Sequence, residues 1–182
     1  MEREDVRKRY IAKSQAEIAS LSERGLQMSG NAFSSLLILK GELGPGDQGG
    51  RTLLAGPDGK ALAAAFARLG YAPEDWCALS TKTAAGEDVD PDLLREAIAA
   101  LDPATLVISD ESASSCVKEA YAEELSHVED FATAMLEPGH IAEVCGMRVM
   151  DLGGFEAALS DPKKKQIVWA YLKKLPPLGD PY

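Results

Sequence analysis

The segment LLILKGELGPGDQGGRTLLAGPDGKALAAAFARLG, residues 36–70, determines the fold predicted for this chain. It begins with a short apolar run, which is typical of a strand buried on both faces. The run of alanine and leucine at its end predicts a helix over 59–71 that ends near Gly70. The loop between them contains more glycine than a plain strand-to-helix connection needs. We therefore expect this loop to be shaped around a ligand.

The rest of the chain repeats the alternation of strand and helix. Strands are predicted at 75–81 and 105–110, with two short strands within 140–154, and helices at 3–26, 90–101, 112–125 and 161–175. This order is typical of a parallel sheet covered on both faces. We predict an α/β fold: a three-layer α/β/α sandwich around a central, mostly parallel four-stranded sheet. Residues 1–182 form one domain, with an N-terminal helix within 1–30 and a tail at 176–182.

The amino-acid composition limits the classes of protein to which the chain can belong. The 182 residues are 46% hydrophobic and 26% charged, as in ordinary globular domains. No apolar stretch is long enough to span a membrane, and the charged N-terminus does not resemble a signal peptide, so we expect a cytoplasmic protein. The three cysteines are predicted to be reduced and packed as small hydrophobic residues. Because the chain has only two histidines, we expect no metal site. We also expect no cofactor.

The net charge of −10 bears on nucleic-acid binding. Contacts to phosphate come from Lys and Arg, and the one dense basic stretch is DPKKKQ at 161–166, with Lys173 and Lys174 nearby. We interpret this stretch as a solvated helix face and expect DNA binding to be weak or absent. The predicted topology places any site beyond the carboxyl ends of the strands, within 41–56, 80–88, 110–115 and 151–155.

Several partial motifs in the expected order resemble the uracil-DNA glycosylases, particularly the iron–sulfur branch. In that family the first strand ends in V-G-E-A-P-G, followed by G-R-P-F-V-G and then A-G-x-L-L. Here ILKGELGPGD and GGRTLLAGPDGKAL are similar to these motifs. The segments LGYAPEDWCALSTKT, LDPATLVISDESAS and RVMDLGGFEAALSDPKKKQIVWAYLKKL are similar to later ones. The resemblance covers residues 15–175, and it implies a glycosylase-like fold.

The resemblance also implies roles for individual residues. Glycosylases bind an extruded base in a tight pocket. The resemblance places the family's acidic residue at Glu42, and Asp47 follows on the same loop. These two residues are therefore the catalytic candidates if the chain is active. Alternatively, Glu42 caps a turn or a helix N-terminus. The residues expected to contact a ligand such as a nucleobase or nucleotide are Gly41, Leu43, Gly44, Leu54, Ser80 and Asp151.

Other groups that the family's chemistry requires are absent from their expected positions. Leu53 or Leu54 replaces the aromatic ring, whose stacking is worth about 1–3 kcal/mol per base. Ser80 replaces the strand-end amide, and Asp151 falls where a histidine would stabilise the departing base. The four cysteines of the iron–sulfur site are absent. Loss of one positioned proton donor typically reduces the rate by about 10²–10⁴.

Two hypotheses from different classes follow. In the first, the chain has lost base excision and binds a small ligand in the crevice or a protein partner on its surface. In the second, it is an active hydrolase of N-glycosidic bonds on another base and uses Glu42 or Asp47. A phospho-acceptor role for Asp110 is disfavoured because the first strand does not end in paired acidic residues. We expect His127 and His140 to be surface or capping residues, and Trp76 and Trp169 to pack in the core.

Overall fold

The computed structural model describes residues 3–44 and 53–178 and has a mixed six-stranded sheet at its centre. The strands lie in the order β1-β3-β2-β4-β6-β5. Their bounds are β1 (Met28–Gly30), β2 (Leu36–Lys40), β3 (Trp76–Ser80), β4 (Thr105–Ile108), β5 (Ala142–Val144) and β6 (Met147–Asp151). The four central strands are parallel to one another, and the two short edge strands are antiparallel to their neighbours.

The described residues contain eight α-helices, which precede, connect and follow the strands. They are α1 (Arg3–Glu23), α2 (Pro57–Leu69), α3 (Pro91–Leu101), α4 (Glu111–Ala120), α5 (Ala122–Ser126), α6 (Phe131–Ala134), α7 (Phe155–Ala158) and α8 (Pro162–Leu172), with a short 3₁₀ helix at Pro73–Asp75. No helix in this part of the chain combines the length and apolar character that crossing a membrane requires.

Strand β2 is the centre of the fold because all five of its residues are buried. Alternate residues of a strand point to opposite faces of the sheet. Leu37 and Leu39 pack in a cluster with residues of α1, α3 and α4. Leu36 and Ile38 pack in a second cluster with residues of α2, α7 and α8. The prediction of an α/β fold with helices on both faces of the sheet is therefore confirmed.

The structure differs from the predicted fold in detail. The sheet has six strands rather than four. Strands β5 and β6 are the two short strands predicted within 140–154, whereas β1 was not predicted because a strand of three residues carries little periodic signal. Helix α1 ends at Glu23, before the left-handed Gly25 (φ +94°), and the N-terminal region to residue 30 contains β1. The helix predicted at 112–125 is two helices that meet at Tyr121.

The packing predicted for the thiols and indoles is largely found. Cys77 and Cys116 are buried as expected, but Cys145 is exposed at the turn between β5 and β6, where its own φ of +49° belongs to a tight hairpin. Trp76 and Trp169 are half-buried and pack against the core. His127 and His140 are exposed.

Helix α2 begins at a close backbone approach that only glycine allows. A Cβ atom at Gly59 would lie 1.5 Å from the carbonyl oxygen of Leu54, a residue that itself has φ of +60°. Gly56, three residues earlier, would place its Cβ at an ordinary 3.4 Å from the Asp58 carboxylate. The segment that leads into α2 is therefore held against the first turn of the helix.

We predict that Gly59→Ala lowers the free energy of unfolding by about 1–3 kcal/mol, the usual cost of overpacking. Gly56→Ala is the matched control; because alanine is a poorer N-cap than glycine, it is expected to lower stability by less than about 1 kcal/mol. Equilibrium unfolding in urea measures both. Equal stability of the two variants would contradict the close approach.

Candidate functional site

The candidate site lies where the connections of the parallel strands reverse direction. The chain passes from β2 to β3 on one side and then returns across β2 to β4 on the other. In sheets of this kind ligands bind beyond the carboxyl ends of the strands at this switch point. Lys40 and Gly41 at the end of β2, and Ser109 and Asp110 after β4, therefore form the middle of the site.

The side chain of Asp110 occupies the centre of this edge. Its carboxylate accepts hydrogen bonds from the backbone N–H of Gly41 (3.0 Å), Glu42 (2.9 Å) and Ala113 (2.9 Å). Asp110 is the N-cap of α4 and is 6% exposed. The amides at a strand end and a helix N-terminus are the donors that would bind an anion. Here a carboxylate of the chain itself already binds them.

Gly41 is required because Asp110 and α4 approach the end of β2 so closely. A Cβ atom at Gly41 would lie 2.7 Å from the hydroxyl oxygens of Ser112 and Thr81 and 2.8 Å from the backbone nitrogen of Ala113. Gly41, which was predicted to contact a ligand, is buried against α4 and also lines the crevice described below.

A buried ion pair lies beside Asp110. Lys40 Nζ is 2.5 Å from Asp58 Oδ2, and both side chains are at most 6% exposed. Asp58 Oδ1 also accepts a hydrogen bond from the Gly59 N–H in the first turn of α2. The pair joins β2 to α2. This ion pair was not predicted from the sequence, although a lysine that ends a fully buried strand needs a carboxylate partner.

Glu42 follows Gly41 at the edge of a small recess. Its side chain is exposed, and across 3–44 and 53–178 no hydrogen bond or ion pair engages its carboxylate. The recess is also lined by Lys40, Asp58 and Ser109, and its volume is about 40 Å³. Pockets for small molecules usually measure about 300–1,000 Å³. The recess therefore has room for water rather than for a nucleobase.

One of the other loop candidates lines this recess. Leu54 is 7% exposed and lines it, and Leu43 is half-buried against the core cluster of α2. Gly44 is half-buried. Asp47, the second catalytic candidate, lies outside the described residues.

A larger crevice opens on the β3 side of Gly41. It measures about 440 Å³ and is lined by Gln27, Gly41, Leu43, Lys82 and Thr83, and by residues 84–86. Gln27 was not predicted from the sequence, and its Oε1 is buried and has no hydrogen-bond partner among residues 3–44 and 53–178. Lys82 Nζ donates a hydrogen bond of 2.5 Å to Asp88, which raises the pKa of Lys82 and keeps it charged.

Ser80 is placed behind this crevice rather than in its lining. The residue is fully buried at the end of β3, and its Oγ accepts a hydrogen bond from the Lys82 N–H. The segment after the strand, and not Ser80, forms the wall. The sequence pattern did not show that the residues after the strand, rather than its last residue, would form the wall of the crevice.

Asp151 ends β6, one strand beyond Asp110. It is 3% exposed and accepts a hydrogen bond of 2.8 Å from the Gly153 N–H. Burial raises the pKa of Asp151, although the Gly153 amide and the nearby Ser114 hydroxyl oppose the shift. Asp151 lines neither the recess nor the crevice.

The remaining chemistry-bearing residues do not converge on this edge. Within the described ranges no group of three or more His, Cys, Asp or Glu side chains is arranged to hold a metal ion. The lysines of the basic stretch, Lys163, Lys164 and Lys165, are exposed on α8.

Comparison with known proteins does not assign this chain to a family. No protein-family model matches it, and no curated protein is significantly similar to it. The site geometry and the sequence motifs are therefore the basis for a functional proposal.

The raised pKa of Asp151 predicts a pH dependence of stability. A carboxyl whose pKa in the folded chain exceeds its ordinary value near 3.8 loses stabilising free energy as pH rises through that interval. Asp151→Asn removes this titration and keeps a side-chain oxygen for the Gly153 N–H. We expect the variant to gain stability relative to the wild type as pH rises above about 4.

Urea unfolding of both proteins between pH 3 and pH 8 measures the difference. The exposed Asp5→Asn serves as the control for loss of a surface carboxylate. A difference between Asp151→Asn and wild type that does not change with pH would show that burial does not shift this carboxyl.

Proposed function

We propose that this chain is a divergent relative of the uracil-DNA glycosylases that does not excise uracil and binds a small polar ligand, a nucleobase or nucleotide, in the crevice at the carboxyl ends of its strands. Support for the relationship comes from the partial motifs and from the α/β architecture around them. The first three residues of ILKGELGPGD end β2, and residues 41–44 follow at the switch point.

The hydrogen bonds of Asp110 carry the proposal that uracil excision is absent. A departing base carries negative charge, so its transition state needs free donors. The amides of Gly41, Glu42 and Ala113 donate to Asp110 instead. A further carboxylate, Asp151, stands at the end of β6. The resemblance to the family implies a histidine at this position.

Support for a ligand comes from the crevice beside Gly41. Its volume is in the range of small-molecule pockets. An unmade hydrogen bond at a buried group costs about 1–3 kcal/mol. Rotation of the Gln27 amide would turn its Oε1 toward an N–H group of a ligand, and the Lys82 ammonium at the wall would attract a carbonyl oxygen or a phosphate.

Thermal unfolding with a panel of nucleobases and nucleotides tests ligand binding. A ligand present at about 100 times its Kd stabilises the folded state by about 2.7 kcal/mol, which raises the Tm by roughly 5–10 °C in a chain of this length. We expect such a shift with at least one member of the panel.

Matched variants locate that binding. Gln27→Leu removes the crevice amide and is expected to abolish the shift, whereas Gln166→Leu, on the exposed surface of α8, is expected to retain it. Absence of a shift with every compound would contradict the ligand proposal and leave a protein partner as the function of the fold. An equal shift in Gln27→Leu would place the ligand elsewhere.

One observation favours a second function, hydrolysis of an N-glycosidic bond with Glu42 as the acidic group. The Glu42 carboxylate is exposed at the rim of a recess with room for water. Such a carboxylate could orient water or face a cationic sugar. Release of free base from deaminated single-stranded oligonucleotides, lost in Glu42→Gln, would establish this function, and release at the same rate in the variant would exclude a role for Glu42.

A further inference from the structure

The N-terminal half of α1 extends beyond the body of the protein. Residues 3–10 are all exposed, whereas Leu21, near the other end of the helix, is 1% exposed and packs in the core beside α3. Most of the stability of a helix in a protein comes from packing one of its faces. The first half of α1 has no such packing within the described chain.

This exposed half presents an apolar and basic face. Val6 and Tyr10 are one helical turn apart and are 53% and 65% exposed. Helical periodicity places Arg3 and Lys13 on the same face. Residues 3–13 contain five basic and two acidic residues, in a chain whose net charge is −10. Positive charge is therefore concentrated on this helix end.

A surface of the opposite sign lies on another part of the same chain. Residues 119–147 contain seven acidic residues and no lysine or arginine. Within this stretch Phe131 and Met135, one turn apart across the end of α6, are 74% and 46% exposed. Glu129 and Glu137 flank them and are exposed. We call Phe131, Met135 and these two glutamates the acidic patch.

The two surfaces complement each other in both apolar content and charge. Each has a pair of large apolar side chains at i and i+4, and most of the charges near each pair are of one sign. Leu21 fixes α1 beside α3, and in the structure both surfaces are exposed, so they do not cover each other within one copy. Every copy of the chain carries both.

We propose that the exposed half of α1 docks on the acidic patch of a second copy of the chain. The contact joins two different surfaces, so it is heterologous, and the copies associate head to tail. The apolar pairs are the centre of the interface and the charges are its rim. Rim charges are screened by salt, so association weakens as ionic strength rises.

Two double variants test this association because each removes one surface. Val6→Ser with Tyr10→Ser removes the apolar centre of α1, and Phe131→Ser with Met135→Ser removes that of the acidic patch. All four side chains are exposed, so the changes leave the core unaltered. We expect each variant alone to self-associate roughly tenfold more weakly than the wild type. Sedimentation velocity over a concentration series measures this.

Mixing the two variants gives the decisive result. One retains an intact patch and the other an intact α1, so the mixture is expected to form a one-to-one complex that neither forms alone. Ile167→Ser with Leu178→Ser, two exposed apolar residues elsewhere, is the matched control and should associate like the wild type. A wild type that stays monomeric at every concentration in low salt, or variants that fail to complement, would overturn the proposal.

Discussion

The carboxylate of Asp110 is the interaction on which the carboxyl edge of the sheet depends. It joins the loop after β2 to the N-terminus of α4 through three backbone amides, and it is almost fully buried as it does so. A buried carboxylate is tolerated when hydrogen bonds replace its hydration. The close approach that this creates excludes any side chain at residue 41 and leaves Glu42 facing outward.

The buried Asp110 carboxylate also determines what the carboxyl edge of the sheet can bind. A strand end and a helix N-terminus that meet at a switch point are well suited to bind an anion. In this chain the anion at that position is the Asp110 carboxylate. The buried ion pair of Lys40 and Asp58 lies next to it. The volume that remains lies to one side, between Gln27 and Lys82. The scaffold can therefore support ligand binding, whereas the amide donors that glycosidic cleavage would need are bound to Asp110.

Prediction from sequence succeeded where the signal is periodic or follows from composition. The apolar run that begins at Leu36 and the alternation of strands and helices led to the α/β fold. Contacts between distant segments were not predictable. Nothing local shows that Asp110 binds amides 68 and 69 residues away, or that Lys40 is paired with Asp58. Ser80 was placed at the correct strand end, but its burial depends on the turn that follows it.

Amide hydrogen exchange at Gly41 and Glu42, followed by NMR, tests the central claim most directly, because each N–H is expected to be bound to Asp110. The account predicts that both amides are protected from exchange in the wild type and lose that protection in Asp110→Ala, while the amides of β4 remain protected. Rapid exchange of the Gly41 and Glu42 amides in the wild type would mean that these donors are free, and the account of an occupied anion site would be wrong.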